Sequence, residues 1–293
     1  MSAVRALLDG IVDYAGLFPP AALDMASAVR NYASYVDERD AWMLGRFVIP
    51  IGRLGELDAV FSSTVNGAWH LAALVGTAIE TDVQRAHEFN DAHRDRATID
   101  VLEVKATSVE EIDRTASAVR DDFATFVELP TTADLDPLIA AIQRHGLSAK
   151  IRTGGVVANA FPSAEHVTRF IRACLNAGVP FKATAGLHHP VRATYRLTYD
   201  EGGPTGLMFG YLNVFLAAAM MATGMNDEDA NRLLEERNPA AFELREDTIG
   251  WRGHVITTAD ARRVRERVAV SFGSCSFREP VDELKTLALT PTS

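Results

Sequence analysis

The stretch Ser148-Ala-Lys-Ile-Arg-Thr153, the segment Ala164–Ala177 and the stretch Pro180-Phe-Lys-Ala-Thr-Ala185 read together as one strand–helix–strand unit. Ser163 is a helix cap, Val167, Phe170 and Ile171 fall on one face, and His166 and Arg169 fall on the other. Asn176-Ala-Gly178 ends the helix, since a glycine just past the last turn takes the left-handed conformation without strain. The same alternation continues in both directions. Further strands are expected at Ile11–Leu17, Trp42–Ile49, His70–Ala78, Thr98–Lys105, Ala124–Leu129 and Val268–Phe272. Helices are expected near Met25–Asp37, Leu54–Ser62, Thr81–His93, Val109–Asp121, Leu135–His145 and Pro280–Leu289. Eight strands alternating with helices predict an α/β fold, a (β/α)8 TIM-type barrel, for which about 250 residues are typical. An open doubly wound sheet is disfavoured, because no glycine-rich dinucleotide fingerprint follows the first strand.

The whole chain, residues 1–293, is then one barrel domain with an insertion at residues 190–266, between strands seven and eight. The insertion carries an apolar helix at Phe209–Thr223, an acidic helix at Asn226–Arg237 and a hairpin around Phe242–Val255. An excursion at that position is expected to overhang the barrel mouth, as a lid or as an oligomer contact. A homo-oligomer is the expected assembly, with the Leu207–Thr223 stretch as its apolar face.

A net charge of −10 argues against nucleic acid and against anionic membranes as partners. Two cysteines, Cys174 and Cys275, make no disulfide framework and point to a reducing cytoplasm. The first ten residues are too short and too soon charged for a signal peptide, and the most apolar window is interrupted by Gly210 and Asn213.

Of 29 cationic side chains only four are lysine, and three of these stand near strand ends: Lys105, Lys150 and Lys182. Catalytic groups of such barrels sit at the C-terminal ends of the strands. Residues two apart share a strand face, so Lys150 goes with Arg152, Lys182 with Thr184 and Glu103 with Lys105, while Glu128 closes strand five. If these faces point inward, three lysines, one arginine and two glutamates crowd one half of the mouth. Burial and cationic neighbours drive an amine toward neutrality, and a neutral lysine attacks an aldehyde or ketone to form a Schiff base. Glu128 or Glu103 would act as acid or base, or would simply pair with a lysine in a structural network.

Lys150-Ile-Arg-Thr-Gly154 resembles the strand-six Lys-x-Ser-Thr-Gly segment of class I deoxyribose-phosphate aldolases. Phe181-Lys-Ala-Thr-Ala-Gly186 is similar to their strand-seven segment, where a lysine precedes Ala-Gly-Gly. The resemblance spans two short segments and implies that Lys150 forms the Schiff base and Lys182 tunes it. Arg152 replaces a small residue of that pattern, and His188-His189 replaces its usual Arg-Thr ending.

His188 and His189 precede Pro190, and extended neighbours point to opposite sides, so one of them faces the pocket. That histidine suits proton transfer or substrate contact, or metal binding if Asp13 and Glu128 join it. Gly273, Ser274 and Ser276 lie where barrels often hold phosphate, although the same residues also suit an ordinary helix start. Asp13 either faces the mouth or fixes the turn before Pro19 and Pro20. Arg46, alone among apolar residues, must reach solvent or meet an acid.

These residues together predict a class I aldolase-like lyase for a small carbonyl substrate, phosphorylated or carboxylated, needing no cofactor. Lys150, Lys182, Glu128, His188, Lys105 and Glu103 are its catalytic candidates. Arg152, Thr153, Gly154, Thr184, Asp13, Gly273, Ser274 and Ser276 are its substrate-binding candidates. The rival expectations are a metal-assisted lyase or hydrolase built on His188 and strand-end carboxylates, and a non-catalytic ligand-binding or assembly barrel.

Overall fold

The alternation seen from residue 148 outward closes on itself. The structure, a computed structural model, describes residues 2–61, 68–120, 122–131 and 134–288. Eight parallel strands form a closed barrel: β1 (Val12–Tyr14), β2 (Leu44–Pro50), β3 (Trp69–Leu74), β4 (Ala97–Lys105), β5 (Ala124–Glu128), β6 (Ser148–Arg152), β7 (Phe181–Thr184) and β13 (Ala269–Ser274). After α1 (Ala3–Leu8), which precedes the barrel, the helices α2 (Met25–Val36), α3 (Leu54–Phe61), α4 (Ile79–Ala92), α5 (Val109–Val119), α6 (Leu135–Arg144) and α7 (Ala164–Ala177) follow β1 to β6 in turn. The chain is a (β/α)8 barrel. The expected helix ends at Ser62, Asp121 and Leu289 lie outside the described residues.

Strand alternation sorts the side chains into two cores. Phe47, Ile49, Leu71, Ala73, Leu102, Val104, Val127, Ala149, Ile151, Phe181, Ala183 and Phe272 face the helices and pack with them. The barrel interior holds a much smaller apolar cluster, Val48, Ala72, Val101 and Phe126, on the β2–β5 side. Asp13, Glu103, Glu128, Lys150 and Lys182 occupy the alternate positions of their strands and are all buried. Ionic side chains therefore replace the layered aliphatic filling usual in this fold.

The insertion departs from expectation in four ways. The part that reaches the mouth is a hairpin, β8 (Ala193–Arg196) with β9 (Thr205–Met208), which the sequence pattern did not reveal. The apolar helix α8 (Tyr211–Ala222) takes the helix position that follows β7. It is buried within its own chain from Tyr211 to Met221, with Tyr211 and Phe215 against Phe272, so it presents no apolar face to a second copy. A helix apolar on all sides needs such all-round cover. Third, the remainder does not overhang the mouth: α9 (Asp227–Glu235) packs between α7 and α8, and α10 (Thr258–Arg267) packs on α1. Arg265 of α10 donates to Ala269 O and Val270 O at the start of β13 and, at 2.8 Å, to Asp9 O just before β1, which is the far end of the barrel. The expected hairpin near 242–255 is a three-stranded sheet of β10 (Phe242–Leu244), β11 (Thr248–Trp251) and β12 (His254–Thr257). Among the described residues no helix is long and apolar enough to cross a membrane.

Candidate active site

Parallel register brings the candidate lysines together: Lys150 pairs with Lys182 across β6 and β7, Glu128 with Lys150 across β5 and β6, and Lys105 with Glu128 across β4 and β5. Their side chains form a chain of alternating charge through the barrel. Lys182 Nζ lies 2.6 Å from Asp13 Oδ2 and 2.5 Å from Glu103 Oε1. Glu103 then holds Lys150 through its other oxygen at 2.7 Å, and Lys150 reaches Glu128 Oε2 at 2.8 Å. Arg152 Nε ends the line 3.4 Å from Glu128 Oε1. Asp13 is further fixed by the Ser271 hydroxyl at 2.6 Å and by the Arg46 amide at 2.8 Å. The Arg46 guanidinium itself meets an acid, Asp100, through two bonds of 2.7 and 2.9 Å.

Burial alone would push the Glu103 carboxyl up, but the Lys150 and Lys182 ammonium groups outweigh it and hold it down at about 2. Glu128 is lowered too, with burial opposed by Lys150 and Arg152. Lys182 is raised: burial favours the neutral amine, but Asp13 and Glu103 win. The expectation that burial leaves a neutral lysine therefore fails at Lys182, because the interior supplies carboxylates along with the desolvation.

A cavity of about 310 Å³ opens over this chain at the C-terminal ends of the strands. Lys150, Glu103, Arg152, Thr184, Gly273 and His188 line it; Lys182, Asp13 and Glu128 do not. Lys105 stands at the end of β4 with its side chain 74 % exposed, 4.0 Å from Glu128 and off the cavity wall. Thr153 is fully buried, and its hydroxyl bonds Thr184 O at 3.2 Å and Ala185 O at 2.6 Å, so it joins two loops. Gly154 serves close packing: a Cβ there would stand 2.4 Å from the Phe161 ring.

His188 is buried beneath the β8–β9 hairpin, its Nδ1 3.1 Å from Glu279 Oε2, 3.5 Å from Ser274 Oγ and 4.0 Å from Cys275 Sγ. Burial lowers it, but the bonds to Cys275 and Glu279 prevail and raise it to about 10, so it carries a proton at neutral pH. Glu279 also accepts from the Tyr199 hydroxyl at 3.1 Å. The partners of His188 are thus not Asp13 and Glu128, which the lysines hold. Among the described residues no group of three or more His, Cys, Asp or Glu is arranged to hold a metal. His189 stacks on Tyr195 and bonds Glu283 at 2.7 Å.

The loop after β13 is largely satisfied from within. Ser274 Oγ accepts from the Ser276 amide at 3.3 Å, and Ser276 Oγ accepts from the Glu279 amide at 3.2 Å, capping α11 (Arg278–Ala288). Sequence reasoning missed Glu279 and Tyr199 as partners of His188. The Ser-x-x-Glu spacing at 276–279 was readable as a helix cap, but the contacts across 91 and 80 positions had no local signal.

A scan against protein-family models found no match for this chain, and a search of curated proteins found none of significant similarity. The fold and the site thus define a (β/α)8 barrel with an ionic interior and a small mouth cavity.

Proposed function

We propose that this barrel is an imine-forming lyase of the class I aldolase type, acting on a small anionic carbonyl compound through Lys150. The observation that carries the reading is placement: of the three strand-end lysines, Lys150 alone lines the cavity, and its amine is fixed by two carboxylates. The chemistry balances from the ammonium form. The nitrogen bonds the carbonyl carbon, the C–O bond breaks, and two ammonium protons leave with the oxygen as water, so the iminium keeps one proton and the positive charge. Glu103 and Glu128 are the neighbouring acceptors through which those protons pass. The iminium then takes up the electron pair of the bond between its α and β carbons as that bond breaks, which leaves an enamine on Lys150, while the β-hydroxyl gives its proton to Glu103 and departs as a carbonyl.

In this reading Lys182 is a positioning residue, because it holds Glu103 against Lys150 without touching the cavity. Protonated His188 supplies the proton that the enamine left on Lys150 takes at carbon, and Arg152 receives the substrate's anionic group. No cofactor enters the reaction. The two cysteines are free thiols, which suits a cytoplasmic setting.

Borohydride reduction in the presence of small aldehydes, ketones and keto acids, followed by peptide mapping, tests the proposal. A reduced adduct on Lys150, absent from Lys150→Met, is the expected result. Adducts confined to Lys105, or none across the panel, would refute it.

A further inference from the structure

We infer that the mouth cavity selects a carbonyl acid with a single negative charge and an apolar tail, and turns away phosphate esters. The inference deepens the imine reading, on which it rests for the carbonyl alone. The tail and the acid group stand on the walls of the cavity.

One wall is apolar. Phe18, Val48 and Leu74 face the cavity from the β1–β3 side, and Leu197 and Met208 close it from the β8–β9 hairpin. None of these side chains can bond a sugar hydroxyl, and burying one against them without a partner is costly. The cavity is at the small end of the roughly 300–1,000 Å³ range of small-molecule sites, so there is room for a short branched tail and one head group.

The place where such barrels hold phosphate is already filled. The Ser276 and Glu279 amides are bonded to Ser274 and Ser276 hydroxyls. The Glu279 carboxylate sits in the first turn of α11, tied to His188 and Tyr199, and so sets a negative charge beside the helix N-terminus. A phosphate brought there would meet a carboxylate. From the loop after β13, Gly273 and Cys275 line the cavity, while Ser274 and Ser276 do not.

Charge points the same way. The carboxylates Asp13, Glu103, Glu128 and Glu279 are matched by Lys182, Lys150, Arg152 and His188, with Lys105 as one further cation at the rim. A monoanion fits that balance, whereas a dianion leaves an uncompensated charge beside an apolar wall. Arg152 is held by one 3.4 Å bond to Glu128 and lines the cavity, which makes it the group to meet a carboxylate.

Isothermal titration with ligands that lack a carbonyl separates this inference from the imine reading. 4-Methylpentanoate should bind the intact protein, and glycerol 3-phosphate or inorganic phosphate should bind about ten-fold more weakly or not at all. Arg152→Gln should weaken the carboxylate by about ten- to hundred-fold, the range for a lost charged hydrogen bond. Met208→Trp should block it by filling the apolar wall, with unchanged circular dichroism as the control on folding. Tighter binding of the phosphate ester, no binding of the carboxylate, or indifference of the carboxylate to both substitutions would overturn the inference. Borohydride trapping of 4-methyl-2-oxopentanoate against glyceraldehyde 3-phosphate gives the second arm. A Lys150 adduct with the phosphate ester alone sinks the inference and spares the imine; carboxylate binding with no adduct does the reverse.

Discussion

Lys150 and Lys182 are register partners on neighbouring strands, both are almost fully buried, and both bind Glu103, yet they face different surroundings. Lys182 lies on the β1 side, between Asp13 and Glu103, with its amine 5.5 Å from the centre of the Phe126 ring. Lys150 has carboxylates on two sides and a cavity on the third. Two residues of the same type, in register, thus acquire different roles according to where the barrel ends. The deeper amine secures the interior, and the shallower one is within reach of a ligand.

The largest expected effect falls on the deeper amine. Lys182→Met should cost about 3–5 kcal/mol, because Asp13 would keep buried charge without its cation, although Glu103 keeps Lys150. Urea unfolding measures it, and a loss below about 1 kcal/mol would erase the contrast between the two lysines. Lys150→Met should cost less, about 1–3 kcal/mol, since Glu128 keeps Arg152 and Glu103 keeps Lys182. The same variant should nevertheless lose all borohydride adduct, which Lys182→Met would only reduce if it folds.

Acidification probes the carboxylate that joins them. Glu103 is depressed from 4.5 to about 2, so its stabilisation is present above 4.5 and fades as pH falls toward 2. Wild type should lose on the order of 2 kcal/mol more than Glu103→Gln between about pH 5 and pH 3. Equal slopes in urea titrations would show that Glu103 does not carry the pair. His188 has the opposite sign. Raised from 6.5 to about 10, it stabilises fully below 6.5 and loses that contribution as pH climbs to 10. His188→Gln should therefore flatten the alkaline decline, by at most about 1.4 kcal/mol per pH unit. The smallest effect belongs to Lys105→Ala, which should stay within about 0.5 kcal/mol and leave trapping intact, as an exposed 4.0 Å pair contributes little.

The order of strands and helices was legible because each element has its own period and its own caps, as Ser163 and Gly178 show at α7. Which strand positions turn inward was also legible. Alternation places Lys150, Lys182 and Glu103 on one side and Ala149, Ile151 and Ala183 on the other. At Lys105 the same rule gave no inward side chain, because β4 ends there and nothing covers the residue. The insertion was least legible. Its α8 resembles an interface helix by composition, and only the space beside β7 and β13 makes it a core helix.

The sequence by itself determined an alternating eight-strand pattern and lysines near strand ends, since both follow from local periodicity and residue type. Tertiary structure alone decided which lysine borders a cavity, that Asp13 rather than a neighbouring strand-end group completes the partners of Lys182, and that Glu279 pairs with His188. Those outcomes depend on closing the barrel, which brings Asp13 within 2.6 Å of Lys182 across 169 positions of chain. Local sequence carries no term for a contact that exists only after the first strand meets the last.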